Sequence, residues 1–166
     1  MRCAQVRKMD ISNGPGVRVS LFTQGCDLHC KGCFNSEAWD YSGGKKYTDE
    51  TKDLILDLCS KPHIAGLSIL GGEPVSPLNY SELFELLTLF REMFPDKDIW
   101  MWTGRIYEEM TEEQLEITNL CDVIVDGPWI QDLGDFSLKY KGSSNQRVID
   151  INKTKELNKV VLYEGK

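Results

Sequence analysis

Short apolar runs alternate with amphipathic segments along this 166-residue chain, and that alternation restricts the fold more than any other feature. Five runs read as strands: Val17 to Thr23, Leu67 to Leu70, Asp98 to Thr103, Asp122 to Val125 and Arg147 to Ile151. Between them, Thr48 to Ser60 carries Leu54, Ile55, Leu58 and Cys59 on one face at helical spacing. Asn79 with Glu82 has the form of a capping box. It opens a helix whose stripe is Leu83, Leu86, Leu87, Phe90 and Phe94 and which Pro95 ends. Thr111 with Gln114 forms a second box ahead of Leu115 and Leu120. Strands separated by helices of this length predict βαβ units, a mostly parallel sheet and right-handed crossovers. At roughly 30 residues per unit, there is room for about five or six, whereas a closed eight-fold barrel takes about 250 residues. The expected fold class is therefore α/β, a partial, open (βα) barrel or a curved sheet covered on both faces. No repeat, low-complexity tract or long linker interrupts it, so residues 1–166 read as a single domain.

Nineteen Lys+Arg against 26 Asp+Glu give a net charge of −7, which removes the electrostatic attraction that dominates nucleic-acid affinity. The start MRCAQVRKMDIS has basic residues but no apolar signal region, and no run approaches the length that spans a bilayer. The expectation is a cytoplasmic protein with no nucleic-acid or membrane partner. Of six Cys, three crowd into eight residues while Cys3, Cys59 and Cys121 are scattered. That distribution points to metal chemistry in a reducing compartment rather than to a disulfide scaffold.

In sheets of this kind ligands bind beyond the carboxyl ends of the strands. After the first run comes Gln24-Gly25-Cys26, after the second Gly71-Gly72-Glu73-Pro74, after the third Thr103-Gly104-Arg105, and after the fourth Asp126-Gly127-Pro128. Each end carries polar or cysteine chemistry with a Gly beside it, as convergence on one ligand requires.

Cys26-x-x-x-Cys30-x-x-Cys33 places three thiolates on a loop able to wrap one small inorganic body. Four-iron clusters in electron carriers are held by four Cys. Three leave one iron open to chelate the amino and carboxylate groups of a methionine-like molecule. A structural zinc site completed by His29 or a distant Cys is the alternative, although no second ligand pair stands in the sequence. A four-Cys electron carrier recruiting Cys3, Cys59 or Cys121 is another.

Cys26-x-x-x-Cys30-x-x-Cys33 followed by Gly71-Gly72-Glu73 resembles the radical S-adenosylmethionine superfamily. Further segments narrow the resemblance: Asn13-Gly14-Pro15-Gly16-Val17-Arg18, Leu21-Phe22-x-x-Gly25-Cys26, Val125-Asp126-Gly127-Pro128 and Lys141-Gly142-Ser143-Ser144-Asn145-Gln146-Arg147. Together they are similar to the anaerobic ribonucleotide reductase activating proteins over nearly the whole chain. The resemblance implies a barrel of the radical S-adenosylmethionine type and a [4Fe-4S] cluster on Cys26, Cys30 and Cys33, with S-adenosylmethionine at the unique iron. Its reductive cleavage gives methionine and a 5′-deoxyadenosyl radical. That radical takes a hydrogen from a glycine of the reductase large subunit, and a flavodoxin- or ferredoxin-like protein supplies the electron. Most superfamily members carry an aromatic residue before the third Cys. Gly32 stands there instead, and Phe34 is the candidate aromatic face. Gly32, Cys33, Phe34, Gly71, Gly72, Glu73, Thr103 and Asp126 are thus the expected cofactor-binding residues, with the Glu73 carboxylate accepting a hydrogen bond from the methionyl ammonium. A small-molecule enzyme such as a 7-carboxy-7-deazaguanine synthase and a non-catalytic iron-sulfur carrier are the competing functions.

Other readings are plainer. Gly71 and Gly72 suit an ordinary strand-to-helix turn. Thr103 shares a strand face with Ile99 and Met101 and either meets a ribose or caps the next turn. Asp126 lies near the cofactor or a cation, or serves the Asp-Gly-Pro turn. Asn13 to Gly16 feed the first strand, in which Arg18 is a lone polar residue. His29 faces solvent, Cys59 packs in the core rather than serving as a redox partner, and Trp100 and Trp102 pack in preference to stacking on a substrate. Lys139, Lys141 and Arg147 form a basic cluster, either solvated or a docking patch for an acidic partner.

Overall fold

The computed structural model describes residues 1–165. In chain order the elements are β1 (Arg2–Asp10), β2 (Arg18–Thr23), β3 (Lys45–Lys46), α1 (Asp49–Cys59), β4 (Gly66–Gly71), α2 (Tyr80–Met93), β5 (Asp98–Trp102), α3 (Glu112–Thr118), β6 (Val123–Asp126), β7 (Arg147–Asp150) and α4 (Ile151–Leu157). All seven strands form one sheet in the order β3-β1-β2-β4-β5-β6-β7.

The middle of this sheet follows the alternation read from the sequence. β2, β4, β5 and β6 are parallel neighbours joined through α1, α2 and α3. Both margins depart from it, since β1 and β3 on one side and β7 on the other are antiparallel. Three βαβ crossovers result, fewer than the chain length allows. Between β6 and β7 the chain makes only a 3-10 turn, Gln131–Leu133. Without a helical crossover it returns antiparallel. β1 escaped the sequence reading because register shifts between Cys3 and Gln5 and between Arg7 and Asp10 break its alternation, and most of its residues are exposed.

Helix starts divide in the same way. Thr111 and Gln114 form the expected box, and Thr48 caps α1 with Thr51. The box expected at Asn79 is absent: the Asn79 amide donates to the carbonyls of Glu73 and Pro74 (3.1 and 3.2 Å), and Glu82 pairs with the Met1 amino group (2.5 Å). In α1, Ile55, Leu56 and Cys59 are buried while Leu54 turns outward. The α2 stripe is as expected, with Leu83, Leu86, Leu87 and Phe90 fully buried. Each such side chain contributes about 2 kcal/mol on leaving water.

These helices cover the sheet face bearing Leu21, Leu67, Ile69, Ile99, Met101 and Ile124. Ile99 and Met101 therefore pack in the core. The opposite face carries Ser20, Ser68, Trp100 and, toward the carboxyl ends, Phe22, Leu70 and Trp102. At its amino end Arg18 is fully buried. Its Nη1 stands 2.6 Å from an Asp98 carboxylate oxygen, Nε donates to Ser68 Oγ (2.7 Å) and Nη2 to Leu67 O (3.0 Å). The one charged residue in an apolar strand ties the starts of three strands together.

Candidate functional site

At the carboxyl ends of β2, β4 and β5 lies a cavity of about 460 Å³, within the size range of small-molecule sites. Phe22, Leu70 and Trp102 line its sheet side, and Cys26, Cys30 and Cys33 all line its wall, as do Phe34, Gly71, Gly72, Glu73 and Thr103. Among the described residues no three His, Cys, Asp or Glu side chains converge as a single-ion site would require. The thiols share a cavity wall instead.

The cysteine loop is closed at its base, where Gly25 N–H donates to Ala38 O (2.7 Å) and Cys26 N–H to Trp39 O (3.2 Å). Cys33 N–H returns to Cys30 O (3.1 Å), and Asn35 N–H donates to Cys33 Sγ (3.4 Å). His29 is exposed, as expected, and stacks on Trp39 with ring centroids 4.6 Å apart. All six cysteines are free of disulfides. Burial pushes the Cys26 thiol up, and the amides of Leu28 and His29 oppose that while the Glu73 and Asp27 carboxylates add to it. Cys3, Cys59 and Cys121 lie in the hydrophobic core, where burial pushes the Cys59 and Cys121 thiols up to about 12.

The Gly71-Gly72-Glu73 turn is stitched to the start of that loop. Gly72 N–H donates to Thr23 O and Glu73 N–H to Gly25 O, both at 2.8 Å. A Cβ on Gly72 would stand 2.3 Å from Gly25 O, so its missing side chain serves the approach of two backbones. Glu73 is 1% exposed. Its Oε1 accepts from the Thr103 hydroxyl (2.7 Å) and Val75 N–H (3.2 Å), and its Oε2 from Gly104 N–H (2.9 Å). Burial pushes the carboxyl up against these donors. With about four acceptor positions on a carboxylate, one is left for a ligand. The Thr103 hydroxyl also accepts from Arg105 N–H (3.1 Å). It orders the end of β5 through two bonds.

The family described as a 4Fe-4S single cluster domain matches residues 12–149, a span holding all three cavity cysteines. The anaerobic ribonucleoside-triphosphate reductase-activating protein of Salmonella typhi is 41% identical over 150 residues, covering 89% of this chain and 97% of that protein. The chain belongs to the anaerobic ribonucleoside-triphosphate reductase-activating protein family. Members from Escherichia coli K12 and from Enterobacteria phage T4 are 39% and 38% identical, each over 89% of this chain and over 97% and 93% of their own lengths. Among the described residues no helix is long and apolar enough to cross a membrane.

Two expected site residues of this activating-family chain lie outside the cavity lining. Asp126 is 1% exposed and takes Arg147 Nε on Oδ1 (3.0 Å), with Arg147 Nη2 (2.5 Å) and Tyr107 N–H (2.9 Å) on Oδ2. Arg147 continues to Glu108 (2.9 and 2.6 Å), and the Glu108 and Asp126 carboxylates hold its guanidinium firmly protonated. Through this ion pair the carboxylate fastens β7 to β6. Gly32 has φ +70°, and a Cβ there would stand 2.7 Å from Gln131 Cδ. A side chain at Gly32 would be strained by that backbone and would have to displace the Gln131 side chain, whereas Phe34, 72% exposed, leans on Trp129 at the cavity rim (centroids 4.7 Å).

From the 141–147 segment Gly142 and Gln146 join the far wall. Gln146 Oε1 accepts from Gly142 and Ser143 N–H (2.9 and 3.1 Å), its Nε2 donates to Gly127 O (3.0 Å), and Asn145 donates to Pro128 O (2.8 Å). Lys141 bonds Gln146 O (2.9 Å), so two of the three basic residues near the C terminus are tied internally. Trp129 and Gln146 line the cavity without having been singled out. Trp129 follows the Asp126-Gly127-Pro128 turn, so the strand-end rule stopped just short of it. Arg7, which also lines the cavity, had no signal because its strand had none.

Proposed function

We propose that this chain is the activating enzyme of an anaerobic ribonucleotide reductase, an oxidoreductase of the radical S-adenosylmethionine type whose substrate is another protein. In this reading the seven-stranded sheet serves as the partial, open barrel, Cys26, Cys30 and Cys33 hold a [4Fe-4S] cluster, and a flavodoxin- or ferredoxin-like protein reduces it. The observation that carries the reading is the sharing of one cavity by three free thiols and the buried Glu73 carboxylate. The donor set fits the group: three thiolates suit iron-sulfur ligation and leave one iron for a further ligand. When bound, the cluster supplies the electron that cleaves S-adenosylmethionine to methionine and the 5′-deoxyadenosyl radical, which takes a hydrogen from a reductase glycine.

This chain's residues bind and orient. Glu73 offers its remaining acceptor position to the methionyl ammonium while Thr103, Val75 and Gly104 fix its plane. Gly71 and Gly72 present backbone to the ligand, and Phe34 and Trp129 supply aromatic surface at the rim. Hydrogen transfer needs donor and acceptor carbons within about 3 to 3.5 Å, so the partner's glycine must reach into the cavity.

Glu73→Gln is expected to weaken S-adenosylmethionine binding by about ten-fold, since a charge-assisted bond is worth about 1.5 to 3 kcal/mol. Asp126→Asn is expected to leave that affinity unchanged and to cost only stability. Calorimetric titration of the cluster-loaded proteins checks both, and equal weakening by the two would show that the carboxylates are misassigned. The whole reading is tested by mixing reduced protein, S-adenosylmethionine and the matching reductase. A paramagnetic doublet on the reductase, collapsing when the glycine α-hydrogens are deuterated, with label entering 5′-deoxyadenosine, is the expected result. Radical formation on a small molecule with the reductase untouched would replace the activase by the small-molecule enzyme.

A further inference from the structure

Asp27, beside the first cysteine of the loop, and Arg105, in the turn after β5, form an ion pair that the proposed function leaves unused. Arg105 Nη2 stands 2.7 Å from both Asp27 oxygens. The backbone of Arg105 is fixed at both ends, its N–H on Thr103 Oγ1 (3.1 Å) and its carbonyl accepting from Gly127 N–H (2.8 Å). Thr103 is in turn held by Glu73, which also takes Gly104 N–H. Arg105 therefore projects from the point where the ends of β4, β5 and β6 are joined. Next to it, Leu28 fills the space beside Gly104 where a side chain would stand. The first arm of the cysteine loop thus meets the sheet at two adjacent residues of one turn. Its other ties lie at the loop base.

We propose that Arg105 is a positioning residue, which through Asp27 fixes the Cys26 arm over the cavity while touching neither cofactor nor substrate. This rests on the reading of Cys26 as a cluster ligand. Without the pair the three thiols remain and the cluster still loads, but the Cys26 arm swings relative to Glu73 and the ligand between them. A half-exposed ion pair is worth up to about 1 kcal/mol, or about five-fold in the arm's closed-to-open ratio. One long and one short side chain make the link, so exchanging them spans the same gap.

The first measurement uses the cluster-free protein, in which amide hydrogen exchange of residues 27–33 reads the arm directly. Arg105→Ala is expected to speed exchange about five-fold. Arg105→Asp, which sets a carboxylate against Asp27 and Glu73, is expected to speed it more, and the double variant Arg105→Asp with Asp27→Arg to restore it to within about two-fold. In loaded protein each single variant keeps its iron, the kcat of S-adenosylmethionine cleavage falls by less than exchange rises because it follows the closed fraction of the arm, Arg105→Asp falls furthest, and the swapped pair recovers it. Unchanged exchange in Arg105→Ala, a double variant no better than the singles, or loss of iron in Arg105→Ala would each overturn the proposal. A wild-type protein that takes up no cluster would refute the proposed function instead, and the exchange data would still decide whether the pair holds the arm.

Discussion

Replacing any one of Cys26, Cys30 or Cys33 with Ala is expected to abolish cluster assembly, while Cys59→Ala leaves it intact. Anaerobically reconstituted wild-type protein should hold about four iron and four sulfide per chain, and each of the three variants background amounts. The effect is all-or-none because three thiolates are the whole protein contribution in this reading, and the cavity wall carries no other cysteine. Cys59, Cys3 and Cys121 are buried in the core, and burial pushes the Cys59 and Cys121 thiols up to about 12. They are apolar packing groups there, so Cys59→Ala should cost on the order of 1 kcal/mol in a urea titration. Iron and sulfide analysis with the visible spectrum decides the matter. Loss of the cluster from Cys59→Ala alone would favour a four-cysteine electron carrier, and stoichiometric zinc without iron would favour a structural metal site.

The cavity was legible in the sequence because parallel strands hand their ligands to the residues just beyond their carboxyl ends. Reading those positions reached Cys26, Gly71 to Glu73, Thr103 and Gly127, all of which meet at the cavity or its immediate support. Less legible was where a side chain spends its bonding capacity. Asp126 stands at a strand end like Glu73, yet it lies off the cavity lining and has Arg147, twenty-one residues on, as its counter-ion. No local pattern announces a partner brought in by an antiparallel return. Asn79 shows the same limit: its spacing to Glu82 suits a capping box, but the turn holding Glu73 claims its amide first. β1 stayed hidden because periodicity is a signal of burial, and a strand near the sheet margin with two register shifts and mostly exposed residues buries too little to carry one. Gly32 was placed at the cofactor by position alone. Its φ of +70° supplies a backbone reason for glycine there.

Arg18→Met is expected to destabilise the fold by about 3 to 5 kcal/mol while leaving cluster loading and S-adenosylmethionine binding unchanged in the fraction that stays folded. Arg18 is fully buried, and its guanidinium serves Asp98, Ser68, Leu67 and Pro15 at once. Taking such a charge out of water costs several kcal/mol, and the five interactions across β2, β4 and β5 offset that cost only together. Met fills much of the same length but withdraws the charge Arg18 sets against the Asp98 carboxylate and the donors it gives to three carbonyls, those of Pro15, Leu67 and Asp98. In urea, where small proteins lose about 1 to 3 kcal/mol per molar, the midpoint should fall by about 2 M. Arg18→Met with Asp98→Leu should recover part of the loss, because removing both members of a buried pair costs less than removing one. The site should be spared for a geometric reason. Arg18 opens the six-residue β2 and the cysteine loop follows its last residue, so at about 3.3 Å per residue the two ends are roughly 16 Å apart. A variant that loses cofactor binding in step with stability would mean that the buried arginine reaches the cavity through the strands it ties. A variant as stable as wild type would mean that Arg18 merely offsets its own burial.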